Sequence, residues 1–467
     1  MRDYKLLIDG QLVDGDLEME IINPATTAVL ATCPRASEAQ LDLAVAAAKA
    51  AFVEWRRTSF TDRIALIQSL AGAVLDRADQ LARLLVSEQG KPLDQALAEV
   101  HGLSAFMNYL QALELPNLVD EGNPARRLEL RRKPLGVVAC IAPWNFPLLI
   151  GVTKAAFALA AGNTVVLKPA PTTPLTTLLV GELCADIFPP GVINIITDLN
   201  DLGAALTAHP DVAKISFTGS TETGRRVMAS AAASIKRVTL ELGGNDAAIV
   251  LADANPKEIA PAIFGSAMLN AGQVCIAIKR VYAHASIYDE LCDELGKLAD
   301  AAIVDDGFAQ GVQIGPLQNK VQFEKVRAYL EGACRDGKVV AGGTVVDRVG
   351  YFVRPTIVRD VARGHSIVDE EQFGPILPVI SFEDPLSAVE EVNDSPYGLA
   401  GSVWSADMDV AYAIAKEMDS GTVWINKHLE FGPDVPFGGA KQSGLGVEFA
   451  AEGLLEFTQL QVINAAR

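Results

Sequence analysis

The residues of this chain best suited to covalent chemistry are a thiol, a carboxylate and an amide on three separate stretches. Cys275 stands alone in Asn270-Ala-Gly-Gln-Val-Cys-Ile-Ala-Ile-Lys-Arg280, with small and polar residues before it and an apolar run after it. A thiol becomes a strong nucleophile only when ionised, which requires a base or an electropositive surrounding that the local sequence does not supply. Taken alone, Cys275 reads as a small buried hydrophobe, the common fate of a free cysteine. In Glu241-Leu-Gly-Gly244 a carboxylate ends an apolar run, and the glycines after it let another group come close. That is the setting of a general base, or of a solvated acid before a turn. Pro143-Trp-Asn-Phe-Pro147 holds Asn145 between prolines and aromatics. An amide fixed in this way donates to a developing oxyanion, or simply braces a rigid loop.

These stretches need elements to hold them. From Pro134 onward short apolar runs alternate with helical patterns. Strands are expected over 136–142, 164–168, 192–196, 212–217 and 237–242, with helices over 148–160, 176–187, 202–209 and 224–233. This alternation predicts βαβ units and a doubly wound, mostly parallel sheet, whose ligands sit beyond the carboxyl ends of the strands. Phe217-Thr-Gly-Ser-Thr-Glu-Thr-Gly224 joins a strand to a helix there. Its glycines and unpaired helical N–H groups suit a phosphate, or equally a capped helix start, and their spacing is not that of the usual dinucleotide fingerprint.

Upstream, residues 5–30 alternate around the turns Asp9-Gly10 and Asp14-Gly15, which predicts hairpin strands. Helices are expected over 39–52 behind a Ser37 cap, 62–76 opened by Thr61, 79–88, and 93 to about 113. The polar stretch 120–133 alternates as an extended arm. A second α/β series begins after Gly244, with a strand over 246–251, a helix over 256–269, a strand over 280–284 and a helix over 288–303. The chain closes with a strand over 457–463.

With 467 residues the chain is long enough for two or three domains, and 50% hydrophobic residues supply large cores. The formal net charge of −19 argues against nucleic acid and anionic membrane partners. Neither a signal-peptide core nor a membrane span is read, so a cytoplasmic location is expected. The six cysteines are dispersed without a Cys-x-x-Cys pair and the five histidines are isolated, so neither a disulfide framework nor a metal site is expected.

Taken in order, Pro143-Trp-Asn-Phe-Pro, Lys168-Pro, Phe217-Thr-Gly-Ser-x-x-x-Gly, Glu241-Leu-Gly-Gly, Gly272-Gln-x-Cys, Glu371-x-Phe-Gly-Pro and Pro436-Phe-Gly-Gly-x-Lys-x-Ser-Gly resemble the aldehyde dehydrogenase superfamily over nearly the whole chain. The resemblance implies an α/β fold with a Rossmann-like cofactor domain over 1–118 and 136–242 and a second α/β, catalytic, domain over 243–443. It also implies a small β oligomerisation element over 119–135 and 444–467, in a homodimer or homotetramer.

By the same resemblance Cys275 adds to an aldehyde, the Asn145 amide and the Cys275 N–H hold the oxyanion, and Glu241 activates the water that hydrolyses the thioester. Lys154 supports the proton relay. The expected cofactor is NAD, with NADP at least partly accepted, because Pro171 stands where strongly NAD-selective members often carry a carboxylate that repels a 2′-phosphate. Lys168 is expected on the adenosine ribose, Gly219, Ser220 and Gly224 at the pyrophosphate, Trp144 and Leu242 along the wall, and Glu371 with Phe373 at the nicotinamide ribose and ring. Phe146, Thr153, Val274, Ile276 and Phe431 are expected to line a substrate tunnel suited to aliphatic or aromatic aldehydes, with Lys427, His428 and Glu430 near its mouth. Glu241 disfavours the alternative of an acylating enzyme that uses coenzyme A. The intact trio of Cys275, Glu241 and Asn145 disfavours a catalytically silent binding protein.

Overall fold

A computed structural model describes residues 3–120, 122 and 125–466. Two large sheets carry the fold. The first has eight strands in the order Gln11–Val13, Leu6–Ile8, Ile193–Ile195, Thr164–Lys168, Val137–Ile141, Val212–Thr218, Arg237–Glu241 and Gly444–Leu445. The five from Ile193–Ile195 to Arg237–Glu241 run parallel, and the pairings at both ends are antiparallel. Their Val, Ile and Ala side chains, apart from half-buried Ala213 and Val238, are buried on both faces, as a sheet covered by helices on each side requires. Strand order reverses between Val137–Ile141 and Val212–Thr218. The crevice at this switch point receives the loops that leave both strands at their carboxyl ends, Pro143–Pro147 and Gly219–Ser220.

The second sheet has seven strands, Lys338–Ala341, Thr356–Arg359, Ile376–Phe382, Arg280–His284, Ala247–Val250, Ala400–Trp404 and Thr422–Ile425, parallel except at the first pairing. Each large sheet has its own apolar core. A third, antiparallel sheet joins Thr458–Ala466, Arg126–Pro134 and Leu118–Asp120. Its outer residues Leu118, Leu460 and Val462 are exposed.

The structure moves several expected boundaries. The second helix begins at Phe60 under a Ser59 cap rather than at Thr61, because the Ser59 hydroxyl accepts from the Asp62 N–H. The helix after the phosphate-like turn starts at Thr221, capped by Ser220, rather than at Gly224. The helix from Leu93 ends at Tyr109 and tightens into a single turn over Leu110–Ala112. Asp9-Gly10 makes the expected hairpin, whereas Asp14-Gly15 links two different sheets, since Leu17–Ile22 pairs with Val29–Arg35. The arm is stranded over Leu118–Asp120 and Arg126–Pro134; its residues 121, 123 and 124 lie outside the described residues. The small sheet takes less of the C-terminus than the expected 444–467. Gly444–Leu445 edges the first large sheet, and Leu454 and Phe457 are buried in its core, so the arm's partner strand starts at Thr458.

Candidate active site

A cavity with about 630 Å³ of empty space opens at the switch point of the first sheet and reaches across to the second. Its walls bring together Trp144, Asn145, Gly219, Ser220, Leu242, Cys275, Glu371 and Phe373, all named from sequence, with Thr218, Gln322 and Lys325 added by the fold. Lys154, Lys168, Gly224, Glu241, Phe146, Thr153, Val274, Ile276 and Phe431 lie outside this lining.

The stretch that carries Cys275 reaches the cavity through backbone that the sequence does not advertise. Asn270 and Ala271 both take positive φ, at 51° and 56°. Such conformations cost non-glycine residues energy and persist only where the surroundings hold them. Here Asn270 donates from Nδ2 to the Asn145 carbonyl at 3.2 Å and accepts from Gln89 Nε2 at 3.0 Å. Lys279 Nζ reaches back under the loop to the carbonyls of Val274 and, at 3.2 Å, Cys275. The Gly243-Gly244 pair is what lets the loops close together. A Cβ at Gly243 would stand 2.4 Å from Glu371 Oε2, and one at Gly244 would stand 2.6 Å from the Cys275 carbonyl oxygen.

Asn145 is buried, and its Nδ2 donates to the Gln273 carbonyl at 2.9 Å. An amide nitrogen carries two hydrogens, so this bond leaves a second donor on a residue that lines the same cavity as Cys275. The Cys275 thiol is half-buried and pushed up to about 12, chiefly by burial. Lys279 opposes that shift, while Asp246, Glu371 and Glu241 add to it. The resting sulfur therefore holds its proton at neutral pH and needs an acceptor before it can attack.

Glu241 is equipped to be that acceptor. It ends a central strand, is buried, and neither carboxyl oxygen has a hydrogen-bond partner. Burial first, and the neighbouring Glu448 second, hold its proton affinity well above the ordinary carboxylate range, while Lys154 works against them. Lys154 Nζ is paired with Glu448 Oε1 and lies 3.1 Å from Ser216 Oγ. Sequence reading missed Glu448. Its place between Val447 and Phe449, 294 residues from Lys154, carries no mark of burial.

The cofactor-side residues divide. Ser220 Oγ caps the helix Thr221–Ala232, whose first N–H groups have no intrahelical acceptor. Gly224 serves packing: a Cβ there would stand 2.4 Å from Leu242, a cavity wall. Trp144 and Phe373 meet edge to face with ring centroids 5.4 Å apart. Glu371 accepts from the Gly244 N–H at 3.0 Å. A helix N-terminus, an aromatic wall and a carboxylate at the far end match the phosphate, ring and ribose of a nicotinamide dinucleotide, so the residues present fit that group. Lys168 is buried and paired with Asp198 at 2.5 Å, outside the cavity lining.

The expected tunnel residues sit behind the thiol. Phe146, Val274, Ile276 and Phe431 share an apolar cluster with Cys275, Phe437 and Phe449. Phe431 stacks on Phe437 with centroids 5.7 Å apart and meets Phe106 at 6.1 Å. Thr153 is buried apart from this cluster, and its hydroxyl has no partner. Of the three residues expected at the mouth, Lys427 and Glu430 are exposed and paired at 3.3 Å, but His428 turns inward, with Nε2 2.8 Å from the Ile276 carbonyl. Burial drives its proton affinity down to about 3, which leaves a neutral ring whose Nε2–H donates to that carbonyl.

Residues 12–463 match the profile of the aldehyde dehydrogenase family. The chain belongs to that family. It is 40% identical over 460 residues to aldehyde dehydrogenase LUC3 of Fusarium sp, covering 98% of this chain and 97% of the relative. It is 38% identical over 476 residues to the phenylacetaldehyde dehydrogenase of Pseudomonas fluorescens, covering 97% and 94%. Among solved structures, the NAD+ complex of aldehyde dehydrogenase from Bacillus cereus superposes with a TM-score of 0.97 at 36% identity, covering 100% of this chain and 97% of that one. As a member of the family, the protein is an NAD(P)-dependent oxidoreductase of aldehydes.

Proposed function

We propose that this aldehyde dehydrogenase carries out its reaction through a covalent adduct on Cys275 that ends in hydrolysis, with aliphatic or aryl-substituted aldehydes as substrates. The observation that carries this reading is the meeting of a thiol, a fixed amide and a glycine-cleared carboxylate in one cavity, with Glu241 buried and unpartnered at the adjoining strand end. The thiol proton leaves to Glu241, and Sγ adds to the aldehyde carbonyl. The free hydrogen of Asn145 Nδ2 and the Cys275 N–H hold the oxygen as it gains charge. A bound oxidised nicotinamide would supply the acceptor for the hydride whose loss makes the adduct a thioester. Trp144, Phe373 and Glu371 would bind and orient that ring and its ribose, Ser220 and Gly219 would seat the phosphates, and Lys168, held by Asp198 outside the cavity lining, would serve the adenosine ribose. Glu241 passes the thiol's proton onward through Lys154 and Glu448, then takes another from the water that attacks the thioester, and the C–S bond breaks to release the acid and return the Cys275 sulfur.

The apolar wall supports the substrate class. Phe106, Phe431, Phe437 and Phe449 offer ring faces and edges. The similar Pseudomonas fluorescens protein named for phenylacetaldehyde points the same way. NADH formation over a panel of aldehydes graded in length, aromaticity and charge, with and without coenzyme A, tests this. Phenylacetaldehyde and medium-chain aldehydes should turn over without coenzyme A. An absolute requirement for coenzyme A, or preference for a carboxylated semialdehyde, would contradict it. Half-buried Pro171 lacks the charge that rejects a 2′-phosphate, so NAD should be used with NADP measurably accepted in the same assay.

A homodimer or homotetramer built on the three-stranded sheet follows from its open edge strand Thr458–Ala466 and its exposed Leu460 and Val462, a surface that a second copy would cover. Light scattering of the purified protein checks the mass. Cytoplasmic residence fits six cysteines that are all free thiols. Among the described residues, no helix is long and apolar enough to cross a membrane.

A further inference from the structure

One fully buried ion pair outside the cavity holds both sides of it. Lys91 and Glu99 have side chains with no exposure to solvent, and they are paired through Lys91 Nζ and Glu99 Oε2. Burying two charges is costly unless every donor and acceptor is used. Here they are used on the loop that carries Asn145. Lys91 Nζ donates to the Asn145 carbonyl at 2.9 Å and stands 3.8 Å from the centre of the Phe146 ring. Glu99 Oε1 accepts from the N–H groups of Leu148 and Leu149, both at 3.1 Å, and so caps the helix Pro147–Ala160 with a negative charge at its positive end.

The same short segment holds the other loop. Gln89 accepts from the Lys91 N–H at 2.9 Å and donates to Asn270 Oδ1 at 3.0 Å, while Gln95 accepts from the Asn270 N–H at 3.0 Å. Asn270 then adds the second donor to the Asn145 carbonyl. The backbone of the oxyanion donor is thus pinned from two directions, and its side chain is tied to the Gln273 carbonyl two residues before Cys275.

The geometry points to Lys91 and Glu99 as positioning residues that set the Asn145 amide relative to the Cys275 sulfur, through the Asn145 carbonyl and the start of the following helix. The inference rests on the reading of Asn145 as the oxyanion donor. It differs from a purely structural role, in which the pair merely satisfies its own buried charges.

The double variant Lys91→Met/Glu99→Gln separates the two roles. A neutral pair of similar volume is tolerated in place of a buried ion pair, and the glutamine oxygen still accepts from Leu148 and Leu149. An activated ester, p-nitrophenyl acetate, acylates a thiol through the same kind of oxyanion with no hydride to transfer, so the rate of its first turnover reads the oxyanion site without the hydride step. The double variant should unfold within a few degrees of the wild type, bind NAD as the wild type does in a fluorescence titration, and acylate about 100-fold more slowly, the size expected when a catalytic group is displaced by about 1 Å. In an Asn145→Ala background the same two changes should slow acylation by no more than about 3-fold further, because residues that act as a unit are not additive.

Acylation by the double variant within about 3-fold of the wild type, or effects that multiply in full with Asn145→Ala, would overturn the inference. Should the double variant not fold, Glu99→Gln alone enters the same cycle, with slower acylation and the same non-additivity expected. A wild type that acylates on Cys275 but oxidises no aldehyde overturns the proposed reaction, while the cycle still decides the role of the pair. A wild type without a Cys275-dependent first turnover overturns both.

Discussion

Glu88, Glu99 and Glu241 are all buried, and they are treated in opposite ways. Glu99 accepts from Lys91 and from two helical N–H groups, and Glu88 accepts from the N–H groups of Leu175 and Thr176 and from the Thr176 hydroxyl. Glu241, buried at the end of its strand, accepts from nothing. Leaving a buried carboxyl unsatisfied costs stability, and natural folds rarely keep such a group without a use for it. The support layer is saturated and therefore rigid. The reacting layer is kept unsaturated, so its groups remain free to exchange protons with substrate and water.

The largest effect should come from the reacting layer itself. Cys275→Ala should reduce aldehyde-dependent NADH formation by about 10⁴-fold or more while leaving the unfolding temperature close to that of the wild type, as measured by stopped assay and calorimetry. Residual turnover near wild type would move the nucleophile elsewhere and dissolve the contrast.

Glu241→Gln should come next, with steady-state turnover down by about 10²- to 10³-fold. The first turnover with p-nitrophenyl acetate should show whether the acyl group now accumulates, as it must if water activation is the blocked step. Because the side chain makes no hydrogen bond, this change should not destabilise the protein, whereas Glu99→Gln, at a saturated site, should lower its unfolding temperature. Equal losses of stability would erase the distinction between the two acids.

The pH dependence gives a finer test. Glu241 works as a base only when ionised, and its proton affinity is raised, so the acidic limb of the kcat profile should lie above that of an ordinary carboxylate. Glu448→Gln removes a neighbouring negative charge and should move the limb to lower pH; Lys154→Met removes the opposing cation and should move it higher. Limbs that stay fixed in both variants would mean that another group sets the profile.

The smallest effect concerns the wall. Phe431→Ala should reduce kcat/KM for phenylacetaldehyde about 5-fold more than for a short aliphatic aldehyde, the scale of one aromatic contact. Equal losses for both would place the ring outside the substrate's reach.

Much of the reacting layer was legible before any coordinates, and much of the support layer was not. Cys275, Glu241 and Asn145 sit in short segments whose glycines and prolines record a local constraint, and Gly243-Gly244 already announced a close approach without naming Glu371 as the group that approaches. Glu99 left a fainter trace: it falls on the buried stripe Ala96, Val100, Leu103 and Met107 of its helix, where a charge is out of place. Lys154 is similarly set in an apolar helix. Glu448, Lys91 and Lys279 carry no such trace, and the inward turn of His428 onto the Ile276 carbonyl leaves none either.

By itself the sequence carried the family resemblance in its ordered motifs, and it carried the first parallel sheet and the second α/β series in its periodicity and turn chemistry, which are local and survive in a linear string. Only the tertiary structure decided which charges are paired and which are left alone. Lys154 meets Glu448 across 294 residues and Asn145 meets Gln273 across 128. Burial and partnership of that kind arise where segments distant in the chain pack together, which a linear string does not record.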